Sequence, residues 1–379
     1  MAKLFACGDV VNYRNSDGIV CSPELEKVIK SADYAVCNFE APIKGYGLPL
    51  PKSGPHHCQE ERTLAGLKSQ GFDLVLFANN HILDYGAEGL IATQKAATKA
   101  GLDSLGAGLS KAEAYTPLIK EIEGLKVGII NACEAQFGVI DYASREDEAG
   151  YAWLNHAQID KNIIELRKQC DFVLLFAHAG LENVDIPQKE WRVRYKHFCD
   201  LGVDVVIGAH PHVPQGWERH NDSLIFYSLG NFYFDGGRWA GKESISYAVL
   251  LDLNKGRAPE FSPVYHYTNQ QKVTLAPEGK RANLDRLCEL LDAGYEIRHD
   301  EMTMATFSRV KSALLTGLAP LPMGTSIKGT IKELLATFLG RRRNIRKDLL
   351  ALHLLRNEAY YYVARNALEL QARGNAGNE

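Results

Sequence analysis

GFDLVLFANNHILDYG, residues 71–86, and GVDVVIGAHPHV, residues 202–213, carry the reading of the fold. Each opens with a short aliphatic run, apolar on both faces and too short for a buried helix, which reads as a strand inside a largely parallel sheet. Each run then stops abruptly at side chains that bind protons or metals, Asn80-His81 in the first and His210 in the second. The same pattern recurs where LFACG stops at Asp9, where YAVCN is followed by Phe39 and Glu40, and where FVLLFA stops at His178. Residues 23–30, 89–100, 159–169 and 188–201, which lie between these runs, have helical character. Alternating strands and helices give an α/β fold, in which polar residues just past the carboxyl ends of the strands line the ligand crevice. Five strand ends therefore deliver Asp, Glu, Asn or His to one edge.

Composition bounds the alternatives. The 379 residues are 46% hydrophobic and 23% charged, an ordinary globular balance with ample material for a core. A net charge of −3 implies neither a nucleic-acid partner nor an anionic membrane surface. The eight cysteines are scattered without a CxxC pair, so buried reduced thiols are expected and a zinc–thiolate site is not. MAKLFACGDV runs straight into a strand, and the apolar runs fall far short of a membrane span, so a cytoplasmic protein without an integral membrane segment is expected.

Later strands are expected at 126–131, 224–228, 247–253 and 261–267, and YSLGNFYFD reads as strand, tight glycine turn, strand. The character changes near Ala276, giving a core over 1–275 and a mainly helical extension over 276–379. In the extension, 279–315 reads as helix, TGLAPLPMGTS as a linker or long loop, and 348–371 as a further helix. Ile327, Ile331, Leu334, Leu335 and Phe338 share one helical face. The basic run Arg341-Arg342-Arg343 with Arg346 and Lys347 suits a solvated helix terminus, or contact with an acidic partner or lipid surface. The triplet Tyr360-Tyr361-Tyr362 reads as helix packing.

Asp9, Glu40, Asn80, His178, His210 and His212 form a mixed oxygen and imidazole set suited to Mn, Fe, Zn or Mg. Alternate residues of an extended segment point to opposite sides, but Pro211 bends the chain and lets both rings of His210-Pro211-His212 face one cluster.

The segments GDV, NFEAPI, GFDLVLFANNHILDYG, HAGLE, GVDVVIGAHPHV and YSLGNF, in this order across residues 3–235, resemble the successive motifs of the CapA family of capsule and poly-γ-glutamate synthesis. That family is in turn similar to calcineurin-like metallophosphoesterases. The resemblance implies a layered α/β/β/α sandwich and one or two divalent ions, with Mn, Fe or Zn foremost. It implies Asp9 and His212 on a first metal, Glu40 as the bridging carboxylate, and Asn80, His178 and His210 on a second. His81 then resembles the general acid beside the leaving group. Two departures stand out: Asp9-Val10-Val11 replaces the usual Asp-x-His, and Glu40 replaces a shorter Asp. The implied activity is a metal-dependent hydrolase of phosphoester type, acting on an anionic or polymer-related substrate alongside other capsule-synthesis proteins. The alternative is a non-catalytic metal-binding component of such an assembly.

Other residues allow two readings each. Asp84, a candidate catalytic residue with His81, either hydrogen-bonds near His81 or caps the following helix. Asn38, Glu182 and Asn231 are the candidate substrate-binding residues, and Asn38 either supports Glu40 or satisfies backbone groups at a strand end. Glu182, four residues after His178, can orient a ligand or contact substrate, or be a surface carboxylate. Asn231 touches the site edge or serves the Gly-Asn turn. His56-His57 is a substitute ligand pair or a solvated loop.

Overall fold

The computed structural model describes residues 1–268, 271–318, 326–339 and 345–376. The chain forms two compact units, one of Met1–Leu50 with His56–Ala293 and the other of Pro51–Pro55 with Gly294–Glu379. In the first unit, the parallel strands read from the sequence divide between two sheets rather than one. Ala2–Val11, Tyr34–Phe39, Leu74–Leu76 and Asp103–Leu105 run parallel in an eight-stranded sheet, which Ser244–Leu253, Glu260–Thr268 and Val273–Leu275 extend antiparallel. Leu125–Cys133, Phe172–His178, Val205–Ala209 and Ser223–Phe226 form the parallel centre of a six-stranded sheet.

Alternation of side chains explains how the layers stack. Leu4, Ala6, Val36, Leu74 and Leu76 from one sheet share a buried cluster with Val127, Ile129, Leu174, Phe176 and Ile207 from the other. The opposite face of the first sheet, with Phe5, Cys7, Cys37, Val75 and Phe77, packs on Leu25, Ile29, Leu64, Leu67, Leu90 and Ala97 of three helices. On the outer face of the second sheet, Gly128 lies against Leu166 of helix Ala157–Arg167, and Tyr195 of helix Lys189–Leu201 stacks on Tyr227 at 5.8 Å. The result is the α/β/β/α sandwich implied by the resemblance, with helices in the C-terminal region as well. The buried amide of Asn131 ties the two sheets together, accepting from Ala78 N–H at 2.7 Å and donating to Phe176 O at 3.2 Å.

The C-terminal helices are more broken than the sequence reading. Within 279–315, helix Leu284–Glu289 ends before a second helix begins at Tyr295, because Gly294 adopts a left-handed φ of 86° that interrupts the ladder. Within 348–371, helix Ile345–Arg356 stops and Glu358–Ala376 starts afresh, with Asn357 Oδ1 accepting from Tyr360 N–H at 3.0 Å as an N-cap. Helix Ile327–Phe338 exposes the apolar face read from its spacing, Ile327 and Phe338 at 84% and 89%. Most of TGLAPLPMGTS and the arginines 341–343 lie outside the described residues. No helix among the described residues is long and apolar enough to cross a membrane. All eight cysteines are free, and six are buried.

Candidate metal centre

The centre lies where the carboxyl ends of both parallel sheets meet. Asp9 reaches it through a double irregularity: the register with Tyr34–Phe39 shifts between Cys7 and Asp9, and that with Asn231–Phe234 shifts between Asp9 and Val10. Such a bulge re-aims a side chain next to a site. Gly8 permits it, since a Cβ there would lie 1.8 Å from Gly230 O. Asp9 N–H donates to that same carbonyl at 3.3 Å, which sets Asn231 level with Asp9.

From the second sheet, His178 is the last residue of its strand, and His210 and His212 follow Val205–Ala209. His210 and His212 hold positive φ values of 95° and 61° on either side of Pro211. Each such conformation costs about 1–3 kcal/mol and persists only where the surroundings impose it. Here it turns both rings inward, with centroids 6.0 Å apart and His210 4.6 Å from His178.

The donor atoms converge in two groups. Ligand atoms of Glu40, His178 and His210 lie within 4.8 Å of one another, and so do those of Asp9, Glu40 and His212. Glu40 is common to both. Its Oε1 is 3.5 Å from His178 Nε2 and 3.8 Å from His212 Nε2. Asn80 Oδ1 sits 3.0 Å from His178 Nε2, so the amide faces the first group. Asp9, Glu40, His178, His210 and His212 are almost wholly buried.

Two amides steer these donors from behind. Asn38 Nδ2 donates to Asp9 Oδ1 at 2.7 Å and lies 3.1 Å from His178 Nδ1. Asn231 Oδ1 lies 2.9 Å from His212 Nδ1, leaving Nε2 toward Glu40. Both amides are buried beneath the donors. His81 and Asp84 form a separate pair, Nδ1 to Oδ2 at 2.7 Å, and Asp84 Oδ2 also accepts from His57 N–H at 2.7 Å. The ring of His57 lies tilted against that of His81, centroids 4.2 Å apart, and bonds to Tyr13 Oη rather than joining either donor group, while His56 Nε2 lies 2.6 Å from Leu50 O. Glu182, half-buried, forms a third group with His210 and His212.

Glu134 and Gln136 escaped the sequence reading. Glu134 is fully buried; its Oε2 accepts from Gly180 N–H at 2.9 Å, its Oε1 accepts from Gln136 Nε2 at 2.8 Å, and Oε1 is 3.7 Å from His210 Nε2. The signal was present: the run KVGIINAC ends at Glu134, as the other runs end at their donors, but the strand extends to Cys133 rather than Asn131.

Electrostatics divide the imidazoles. Burial lowers His178 to about 4 against the pull of Asp9, and burial with the charges of His178 and His212 drives His210 well below the ordinary range. His212 suffers the same burial, but Glu40 and its hydrogen bond to Asp9 raise it to about 10. Asp9 is lowered; burial opposes this, and the hydrogen bond to His212 with the charge of His178 overcomes it. The buried carboxyl groups of Asp9, Glu40 and Glu134 gather around these imidazoles, of which only His212 is raised, and charge left uncompensated at such depth is costly. Nδ1 of His210 is buried with no hydrogen-bond partner among the described residues. Oxygen and neutral-imidazole donors with these properties fit a divalent cation.

The sequence profile of the bacterial capsule synthesis protein PGA_cap family matches residues 3–236. The capsule biosynthesis protein CapA of Bacillus anthracis is 30% identical over 245 residues, covering 62% of this chain and 58% of that one. The PGA biosynthesis protein CapA of Bacillus subtilis is 30% identical over 244 residues, covering 63% of each. The chain thus spans about three fifths of the length of these relatives. Among solved structures, a hypothetical protein from Thermus thermophilus aligns with a TM-score of 0.48 at 16% identity, over 70% of this chain and 99% of that one. The match over residues 3–236 spans every donor named above, and the chain belongs to the bacterial capsule synthesis PGA_cap family.

Proposed function

We propose that the strand-end cluster binds one or two divalent cations (Mn, Fe or Zn) and that the protein is a metal-dependent hydrolase, of phosphoester type, serving capsule or poly-γ-glutamate polymer synthesis. The observation that carries this reading is the sharing of Glu40 between two donor groups, within each of which the ligand atoms lie within 4.8 Å of one another. Glu40, His178, His210 and Asn80 would hold one ion, and Asp9, Glu40 and His212 the other. Divalent ions so held neutralise phosphate charge and lower the pKa of bound water.

The chain's own residues supply the rest. Asp84 accepts from Nδ1 of His81, which fixes the ring and reserves Nε2 for the proton of a departing oxygen. Asn38 and Asn231 keep the donors of the two groups in register. The polymer context rests on the relatives, named for capsule and PGA biosynthesis, and other proteins of that synthesis are the partners this reading expects. Free cysteines support a reducing compartment, the cytoplasm. On this reading the chemistry belongs to residues 1–275, and 276–379 is an extension.

The test is hydrolysis of p-nitrophenyl phosphate and bis(p-nitrophenyl) phosphate by the Mn-loaded protein. His81→Asn should lower turnover about 100-fold with metal content unchanged. Hydrolysis that survives complete removal of metal would contradict the reading. Val11 supports the second reading, a metal-binding component without turnover: at the position where a phosphoesterase has histidine, it is buried against Ala41 and Phe234. Full metal occupancy with no turnover on any phosphoester would decide for it.

A further inference from the structure

The Asp9–Glu40–His212 group is one donor short of its counterpart, because Val11 sits in an apolar cluster and offers nothing. A further carboxylate lies beside two of these histidines. Ligand atoms of Glu182, His210 and His212 all lie within 4.8 Å of one another, so one carboxyl group faces an imidazole from each half of the centre.

Glu182 is not held there by chance contact of a loose loop. Gly180 N–H donates to the buried Glu134 Oε2 at 2.9 Å, and Asn183 N–H donates to Pro211 O at 2.8 Å. The first bond ties the turn to the strand end beside His210, and the second ties it to the peptide between the two histidines. Gly180 and Asn183 both take left-handed φ values, 118° and 61°, which fold the turn back over that segment. The backbone before Glu182 is therefore fastened to Glu134, and the backbone after it to the segment that carries His210 and His212.

We propose that Glu182 is a third carboxylate ligand of the metal centre, which it would join through the pair His210 and His212, supplying the donor that Val11 withholds. The proposal rests on the metal-centre reading above and goes beyond it. Glu182 then acts through ligation, as a ligand rather than as a substrate contact.

The experiment is Mn(II) titration of the chelator-stripped full chain, followed by electron paramagnetic resonance and by elemental analysis after desalting. Wild type should take up Mn(II), and Glu182→Ala and Glu182→Gln should weaken the more loosely held ion at least tenfold, with loss of the exchange-coupled signal between neighbouring ions. Circular dichroism and the melting temperature check that both variants are folded; two variants of different polarity keep the comparison valid if one is not. Unchanged affinity and coupling in either folded variant would overturn the proposal and leave the metal centre standing. A wild-type chain that takes up no ion would overturn both.

Discussion

The two halves of the centre share Glu40 and are built from similar residue types, yet their imidazoles differ in charge. In the Glu40–His178–His210 half the imidazoles are neutral, at about 4 and well below the ordinary range. In the Asp9–Glu40–His212 half the imidazole is protonated, at about 10. Burial is near complete in both, so burial alone does not separate them. Proximity to both carboxylates does not separate them either, since His178 is 3.7 Å from Asp9 and 3.5 Å from Glu40. The difference is collective. Once His212 holds a proton between Asp9 and Glu40, its charge opposes a second proton on either neighbour. Three imidazoles share one proton, and the half that keeps it must give it up before it can ligate.

The largest expected effect comes from removing the neutral half. His178→Ala with His210→Ala should abolish tight metal binding in a protein that still folds, as measured by elemental analysis and circular dichroism. Unchanged metal content in the double variant would remove the ligand assignment.

Next is the proton itself. An ion entering the Asp9–Glu40–His212 half displaces the His212 proton, so its affinity should rise about tenfold per pH unit until pH approaches about 10. Calorimetry in buffers of different ionisation enthalpy should count about one proton released at pH 8. The ion bound by His178 and His210, already neutral, should show no such slope above pH 7. Equal slopes for both ions would erase the distinction between the halves.

The stability of the metal-free chain should show the same division. His212 is raised above its ordinary value of about 6.5, so its contribution is whole below that pH and is lost as pH climbs toward about 10. His178 is depressed, so its contribution is whole above about 6.5 and is lost as pH falls toward about 4. Urea melts across pH should therefore lose the alkaline decline in His212→Gln and keep the acid one, whereas His178→Gln should keep the alkaline decline and weaken the acid one, to which His210 and Asp9 also contribute.

The smallest effect is backbone strain. At His210, with φ of 95°, Gly should be more stable than Ala by about 1 kcal/mol in the metal-free chain, although both lose the ligand. Equal stabilities would show that the left-handed turn carries no strain.

Much of this was legible before the structure. Buried strands announce themselves as aliphatic runs, and what ends such a run in an α/β protein faces the crevice, so the positions of Asp9, Glu40, Asn80, His178 and His210 could be read directly. The sandwich itself was reached through the resemblance, because a run apolar on both faces does not say which of two sheets it joins. The roles of Asn38 and Asn231 were not legible. An asparagine at a strand end serves backbone, ligand or neighbour equally well, and only cross-strand register set them against His178 and His212. Glu134 was lost to a strand ended two residues early. The charge division was out of reach altogether, since it depends on distances between five side chains from four separate segments.

The most direct test is elemental analysis of the protein purified without a histidine tag or chelator. The account predicts about two Mn, Fe or Zn ions per chain, the more loosely held one leaving first as the pH is lowered. A chain that carries no ion and takes up none when Mn, Fe or Zn is added would contradict it.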